Sequence, residues 1–124
     1  MIFVIGGSYQ GKLTYAKDRF SLKDNEIFTC TSEKIDWEKP CLRHIEEFCL
    51  GCVRRGVEPR EVFEAHEADW KDSVLICRDL FCGVVPMDPE EREWRQATAR
   101  LCQYLAKRAD EVVRLFCGLE QKLK

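Results

Sequence analysis

The chain opens on Met1-Ile2-Phe3-Val4-Ile5, five apolar residues in a row followed at once by Gly6-Gly7. A run that is apolar on both faces and too short for a helix reads as a strand buried inside a parallel sheet, entering a tight turn. A parallel sheet needs crossovers, and the next residues supply one: Leu13, Ala16 and Phe20 share one helical face beyond Lys12. Glu26 to Thr31 then reads as a second strand and Thr31 to Pro40 as a loop.

The alternation continues to the end of the chain. Cys41 to about Arg55 reads as one helix with Cys41, Ile45, Phe48, Cys49 and Cys52 on one face, stopped by Gly56. Pro59 starts a short helix carrying Val62, Phe63, His66 and Trp70. Ser73 to Cys77 reads as a third strand, and Cys82 to Pro86 as a loop. Asp88 is placed as an N-cap with Pro89 at the first helical position and Glu91 as a capping-box partner, for a helix to about Ala109. Glu111 to Cys117 reads as a fourth strand, with Gly118 opening a tail. This is the order of an α/β domain with a mostly parallel sheet flanked by helices, and 124 residues make it a single domain over 1–124.

Charge narrows the partners. Twenty Lys and Arg against 22 Asp and Glu give a net charge of −2, so there is no basic surplus for nucleic acid. No basic leader precedes the apolar run and no stretch is long enough to span a bilayer, so no membrane partner is expected and a cytoplasmic protein is. In that setting the eight cysteines read as reduced thiols, mostly small buried hydrophobes.

The chemistry is expected where the first strand ends. Gly6-Gly7-Ser8-Tyr9-Gln10-Gly11-Lys12 matches G-x-x-x-x-G-K, the phosphate-binding P-loop, directly after a buried strand and directly before a helix. Glycines let backbone N–H groups close around phosphate oxygens, Lys12 reaches the outer phosphates, and the helix aims its positive end at them. One part differs: Leu13 stands where Ser or Thr normally holds Mg²⁺, and Thr14 is turned about 100° away on the helix. The competing reading is a glycine turn with a solvated lysine. Asp79, just past a buried strand, is a second ligand-side candidate, against a plain turn.

Other candidates are weaker. Cys41-x-x-His44 with Cys49-x-x-Cys52 has zinc-like spacing, but on one helix the set would stretch about 16 Å, so no metal site is expected. His66 has no nucleophile paired with it and reads as a boundary histidine. Asp88 to Glu93 reads as a solvated helix start, and Phe20 and Trp94 as core.

The residues also carry a resemblance. Gly83-Val84-Val85-Pro86, Arg92-Glu93-Trp94-Arg95, Arg100, Gln103, Leu105-Ala106, Ala109-Asp110-Glu111-Val112 and Gly118 resemble the adenosylcobinamide kinase / adenosylcobinamide-phosphate guanylyltransferase family. That family reads GxVP, RxFRD, GRxNQxLA, ADEV and a late glycine at the same spacing, and its GGxxSGKS is similar to Gly6-Gly7-x-x-x-Gly11-Lys12. The resemblance implies a P-loop NTPase-like fold, usually a homotrimer, acting late in cobalamin synthesis. It implies phosphorylation of a corrinoid by GTP or ATP, then transfer of GMP through a guanylylated histidine. Loop residues Gly6 to Leu13 would bind the nucleotide, with Lys12 catalytic.

The departures are specific. Besides Leu13, Ala99 and Cys102 replace the Gly and Asn of GRxNQ, and Gln96 follows Arg95 where the family has Asp. The middle is shorter: Trp37 to Phe48 resembles the segment after the guanylylated-histidine loop, which leaves that loop deleted and His44 on a later helix. The other alignment leads from Thr31, Ser32 and Asp36 to His44 as acceptor. No central strand carrying an acidic metal-binding residue is visible. Such a chain keeps parts for the kinase step and lacks parts for guanylyl transfer. The alternative is a binding or oligomer-interaction module of the same fold whose catalysis has decayed.

Overall fold

The structure, a computed structural model, describes residues 1–80 and 86–124. Six strands form one sheet in the order β2-β3-β4-β1-β5-β6. They are β1 (Ile2–Gly6), β2 (Ile27–Thr29), β3 (Cys41–Arg43), β4 (Val74–Arg78), β5 (Glu111–Phe116) and β6 (Leu119–Lys122). All neighbours are parallel except β6, which returns antiparallel along β5. The α/β architecture expected from the alternation is therefore present, with β1 in the middle as its apolar run requires. Phe3 sits in register with Leu75 on one side and Val112 on the other.

Helices cover both faces. On one face, α1 (Lys12–Phe20) packs over Val4, Cys41, Ile76, Val113 and Leu115, and buries only Ala16 completely. On the other, α2 (Ile45–Arg54), α3 (Pro59–Ala65), the short α4 (Glu67–Trp70) and α5 (Pro89–Arg108) enclose the main core. Phe3, Leu42, Ile45, Phe63, Trp70, Leu75, Leu101 and Leu105 are almost wholly buried there. Full burial of each such side chain contributes about 1.5–3 kcal/mol. Trp70 loses no hydrogen bond on burial, because its indole N–H donates to the Phe63 carbonyl at 2.7 Å.

Three expectations are corrected. Cys41–Arg55 is not one helix: Cys41 and Leu42 are fully buried in β3, in register with Val74 and Leu75, and α2 begins only at Ile45. Between them His44 takes the left-handed conformation (φ 58, ψ 41), which breaks the helical path. Gly118 does not open an unstructured tail, since Cys117 (φ 51) and Gly118 (φ 76) turn the chain into β6. At α5, Asp88 is the N-cap and Pro89 follows it, but the cap bond goes to the N–H of Glu90 rather than engaging Glu91. The expected loop from Cys82 to Val85 lies outside the described residues. No described helix is long and apolar enough to cross a membrane.

Candidate phosphate-binding cleft

After β1 the chain leaves over one face of the sheet through α1, whereas β3 and β4 lead to helices on the other face. Connections that part in this way leave a crevice at the carboxyl ends of the strands, where open α/β sheets bind ligands. A cleft of about 340 Å³ lies there. Its walls are the loop Ser8–Gly11, the first turn of α1, Arg43 and His44 at the end of β3, Glu46 and Glu47 at the start of α2, and Arg78 at the end of β4.

The loop is held by main-chain bonds on two sides. The Gly6 carbonyl accepts the Asp79 N–H at 2.8 Å, and the Gln10 carbonyl accepts the Gly118 N–H at 3.0 Å. The Gln10 side-chain oxygen also accepts the Cys117 N–H. Gly6 is required by packing, because a Cβ there would lie 2.7 Å from the Leu115 carbonyl oxygen of β5. Gly11 is required by conformation: at φ 89 it is left-handed, which other residues rarely adopt. Tyr9 is also left-handed (φ 59) and its ring is fully exposed at the loop's crest.

Lys12 turns inward. Its ammonium donates to the Gly7 carbonyl at 2.6 Å, across the loop it follows. Burial holds its pKa below the usual lysine value; the Glu46 carboxylate opposes that shift, and the Arg78 and Arg43 guanidinium groups add to it. Glu46 is 2% exposed, and its Oε2 accepts the Arg78 N–H at 3.0 Å. Its main-chain carbonyl accepts the Trp94 indole N–H at 2.7 Å, which ties α5 to the first turn of α2. Arg43 donates to Nε2 of His44 at 2.8 Å, and burial lowers the His44 pKa, so its neutral ring accepts that bond.

The sequence candidates separate here. Ser8, Tyr9, Gln10, Gly11, Lys12 and Leu13 line the cleft, and Gly6 and Gly7 form its root. Asp79 lies one residue past β4 and outside that lining, with its N–H on Gly6; strand alternation presents Arg78 instead. Thr14 is less remote than the helical rotation predicts, for it borders both this cleft and the open groove beyond the loop. Glu46 supplies an acidic group beside Lys12, but from α2 rather than from a strand. Cys41 packs on the opposite face of the sheet from Cys49 and Cys52, which disperses the zinc-like set. His66 stacks on Trp37 at 4.4 Å and bonds Asp69 at 2.9 Å, away from the cleft.

A divalent ion finds a poor donor set. Mg²⁺ on a P-loop takes a hydroxyl after the lysine and a carboxylate at a facing strand end. The first of those places holds Leu13, half-buried against the smaller core cluster, and the end of β3 brings a cation, Arg43, into the cleft. Among the described residues no group of three His, Cys, Asp or Glu side chains could hold a metal ion.

The model of one protein family, cobinamide kinase / cobinamide phosphate guanyltransferase, matches residues 55–123. No curated protein matches the chain. The matched segment runs from the end of α2 through α3, β4 and α5 to β6, and so includes Arg78 and the hairpin that holds Gln10. It covers more than half of the chain, which therefore belongs to the cobinamide kinase / cobinamide phosphate guanyltransferase family, and its function is related to cobalamin biosynthesis.

Proposed function

We propose that this protein binds the phosphate chain of a nucleoside triphosphate, GTP or ATP, in the cleft between the Gly6–Lys12 loop and the ends of β3 and β4. The observation that carries the reading is Lys12, which is folded over the loop onto the Gly7 carbonyl instead of extending into water. A solvated lysine on a glycine turn has no reason to give up hydration in this way. An entering phosphate exchanges that carbonyl for a charge-assisted bond and gains the loop amides as further donors.

Within the family's chemistry the step that suits this cleft is phosphoryl transfer to an alcohol of a corrinoid, which asks the protein mainly for positioning and charge neutralisation. Guanylyl transfer is not part of the proposal. Arg43 occupies Nε2 of His44, the lone pair an attacking ring nitrogen would use. The protein works as a homo-oligomer in the cytoplasm, the homotrimer that the sequence resemblance implies, without nucleic acid or membrane partners. One observation favours the second reading, a binding or oligomer-interaction module with decayed catalysis: Leu13 packs into the core where a hydroxyl ligand would stand.

Calorimetric titration of GTP, and separately ATP, into wild type and Lys12→Ala tests the proposal. Binding to wild type that disappears in the variant is the expected result. Equal binding to both, or none to wild type at millimolar nucleotide, overturns it. Turnover of cobinamide by a protein that binds then separates the kinase from the decayed module.

A further inference from the structure

We propose that Arg43 and Arg78 complete, with Lys12, a phosphate site that needs no divalent cation, so that the preferred ligand is the metal-free form of the phosphate chain. This rests on the nucleotide-binding reading and specifies which ionic form of the chain the cleft takes.

Three separate elements deliver the three cations to one place. Lys12 opens α1, Arg43 ends β3 and Arg78 ends β4, and all three line the same cleft. Each guanidinium is held by a neighbour without being used up. Arg43 spends one of its five N–H donors on His44 Nε2. Arg78 lies over the Trp94 ring, 5.9 Å from its centroid, a contact that leaves the edge of the fork free. Planar forks of this kind bind phosphate oxygens in pairs.

The carboxylates of the cleft do not cancel this arrangement. Glu46 is buried at the back, with Oε2 committed to the Arg78 N–H. With Glu47, half-buried at the rim, that sets two carboxylates against three cations. The hydroxyl that would help seat Mg²⁺ is replaced by an apolar side chain, Leu13, and the cleft wall beside it carries a cation, Arg43. A divalent ion carried in on the phosphate chain would cancel the charge the three cations meet and sit against a guanidinium. Mg²⁺ is therefore a competitor here, whereas in an ordinary P-loop it is part of the site.

The test is binding of GTP, ATP and inorganic tripolyphosphate to the full chain, in EDTA and in excess MgCl₂ at matched ionic strength. The expected result is tighter binding in EDTA, by about fivefold or more, with Arg43→Gln and Arg78→Gln each weakening it about tenfold at unchanged Tm. Binding that requires Mg²⁺ overturns the inference while leaving the nucleotide reading intact. Metal-free binding of tripolyphosphate but of neither nucleotide supports the three-cation site and sinks the nucleotide reading. Failure of all three probes in both conditions overturns both.

Discussion

Lys12 and the carbonyl of Gly7, five residues apart in sequence, are joined by a 2.6 Å hydrogen bond that folds the lysine back over its own loop. Burial sets the pKa of that ammonium below the ordinary lysine value. Between the folded and unfolded pKa values the unfolded chain holds more protons, so stability rises with pH across that window. Phosphate binding runs the opposite way, because the charged lysine is the form that binds. Affinity for GTP falls as pH climbs through the lowered pKa, before the usual lysine range, and binding there takes up a proton. Calorimetry in two buffers of different ionisation enthalpy measures the uptake; identical heats in both would falsify the coupling.

Glu46 is a buried acceptor as well as a charge. Glu46→Ala leaves the Arg78 N–H without its partner and costs about 1–3 kcal/mol. Glu46→Gln keeps an oxygen in place and costs less. Urea melts of the two variants rank them, and equal midpoints would show that the bond does not matter.

The metal preference can be reversed by design. Leu13→Ser removes part of the α1 packing and costs about 1 kcal/mol for a half-buried leucine. Alone it leaves Mg²⁺ unhelpful, since Arg43 still faces the ion. Combined with Arg43→Asp it puts a hydroxyl and a carboxylate where leucine and a cation stood, and Mg²⁺ then strengthens nucleotide binding. An Mg²⁺ gain in Leu13→Ser alone would contradict the role given to Arg43.

Gly51 lies in α2 against the segment leading to β3. A Cβ there would stand 1.6 Å from the Ser32 carbonyl oxygen and 2.8 Å from the Ser32 Cα, so the main chain of one segment must move. Gly51→Ala is expected to destabilise by about 3 kcal/mol, although alanine favours helices. A thermal melt within a degree of wild type would refute this packing.

Thiol chemistry should divide the cysteines sharply. Burial pushes the Cys30 thiol up to about 12 and Cys41 up to about 11, and lifts Cys49 well above its ordinary value. Cys77 is raised first by the Cys102 thiol that bonds it and then by burial. Cys117 is exposed. In a Cys82→Ser background an aromatic disulfide reagent at neutral pH labels Cys117 fast, and the buried thiols react at the rate of unfolding. Rapid reaction of more than one thiol would mean the core opens far more readily than its packing suggests.

The parts of this molecule that could be read in the sequence are those whose signals are local and redundant. Met1 to Ile5 could serve only as a central strand, and Asp88-Pro89 marks a helix start within a residue. β3 could not be read, because a strand of three residues fits within a single turn of the helical pattern that follows, and Cys41 suits either. Nor could β6, whose exposed residues lack apolar alternation because it lies at the sheet's edge. The loop was legible as a motif, whereas Arg43, Glu46 and Arg78 were not. They belong to one site only through the strand order, and no spacing along the chain encodes that. Asp79 follows from the strand-end rule, and its neighbour Arg78, which lines the cleft, carried no such signal.

The glycine loop is braced by the N–H groups of Asp79, Cys117 and Gly118, main-chain donors that all lie outside the loop itself. Its form is thus insured by parts of the chain that substitution at position 13 cannot reach. A metal ligand can be exchanged for leucine while such a cradle keeps its form, so a fold braced in this way can change its reactivity without losing its architecture. In such a protein the scaffold is the slow variable and the chemistry the fast one.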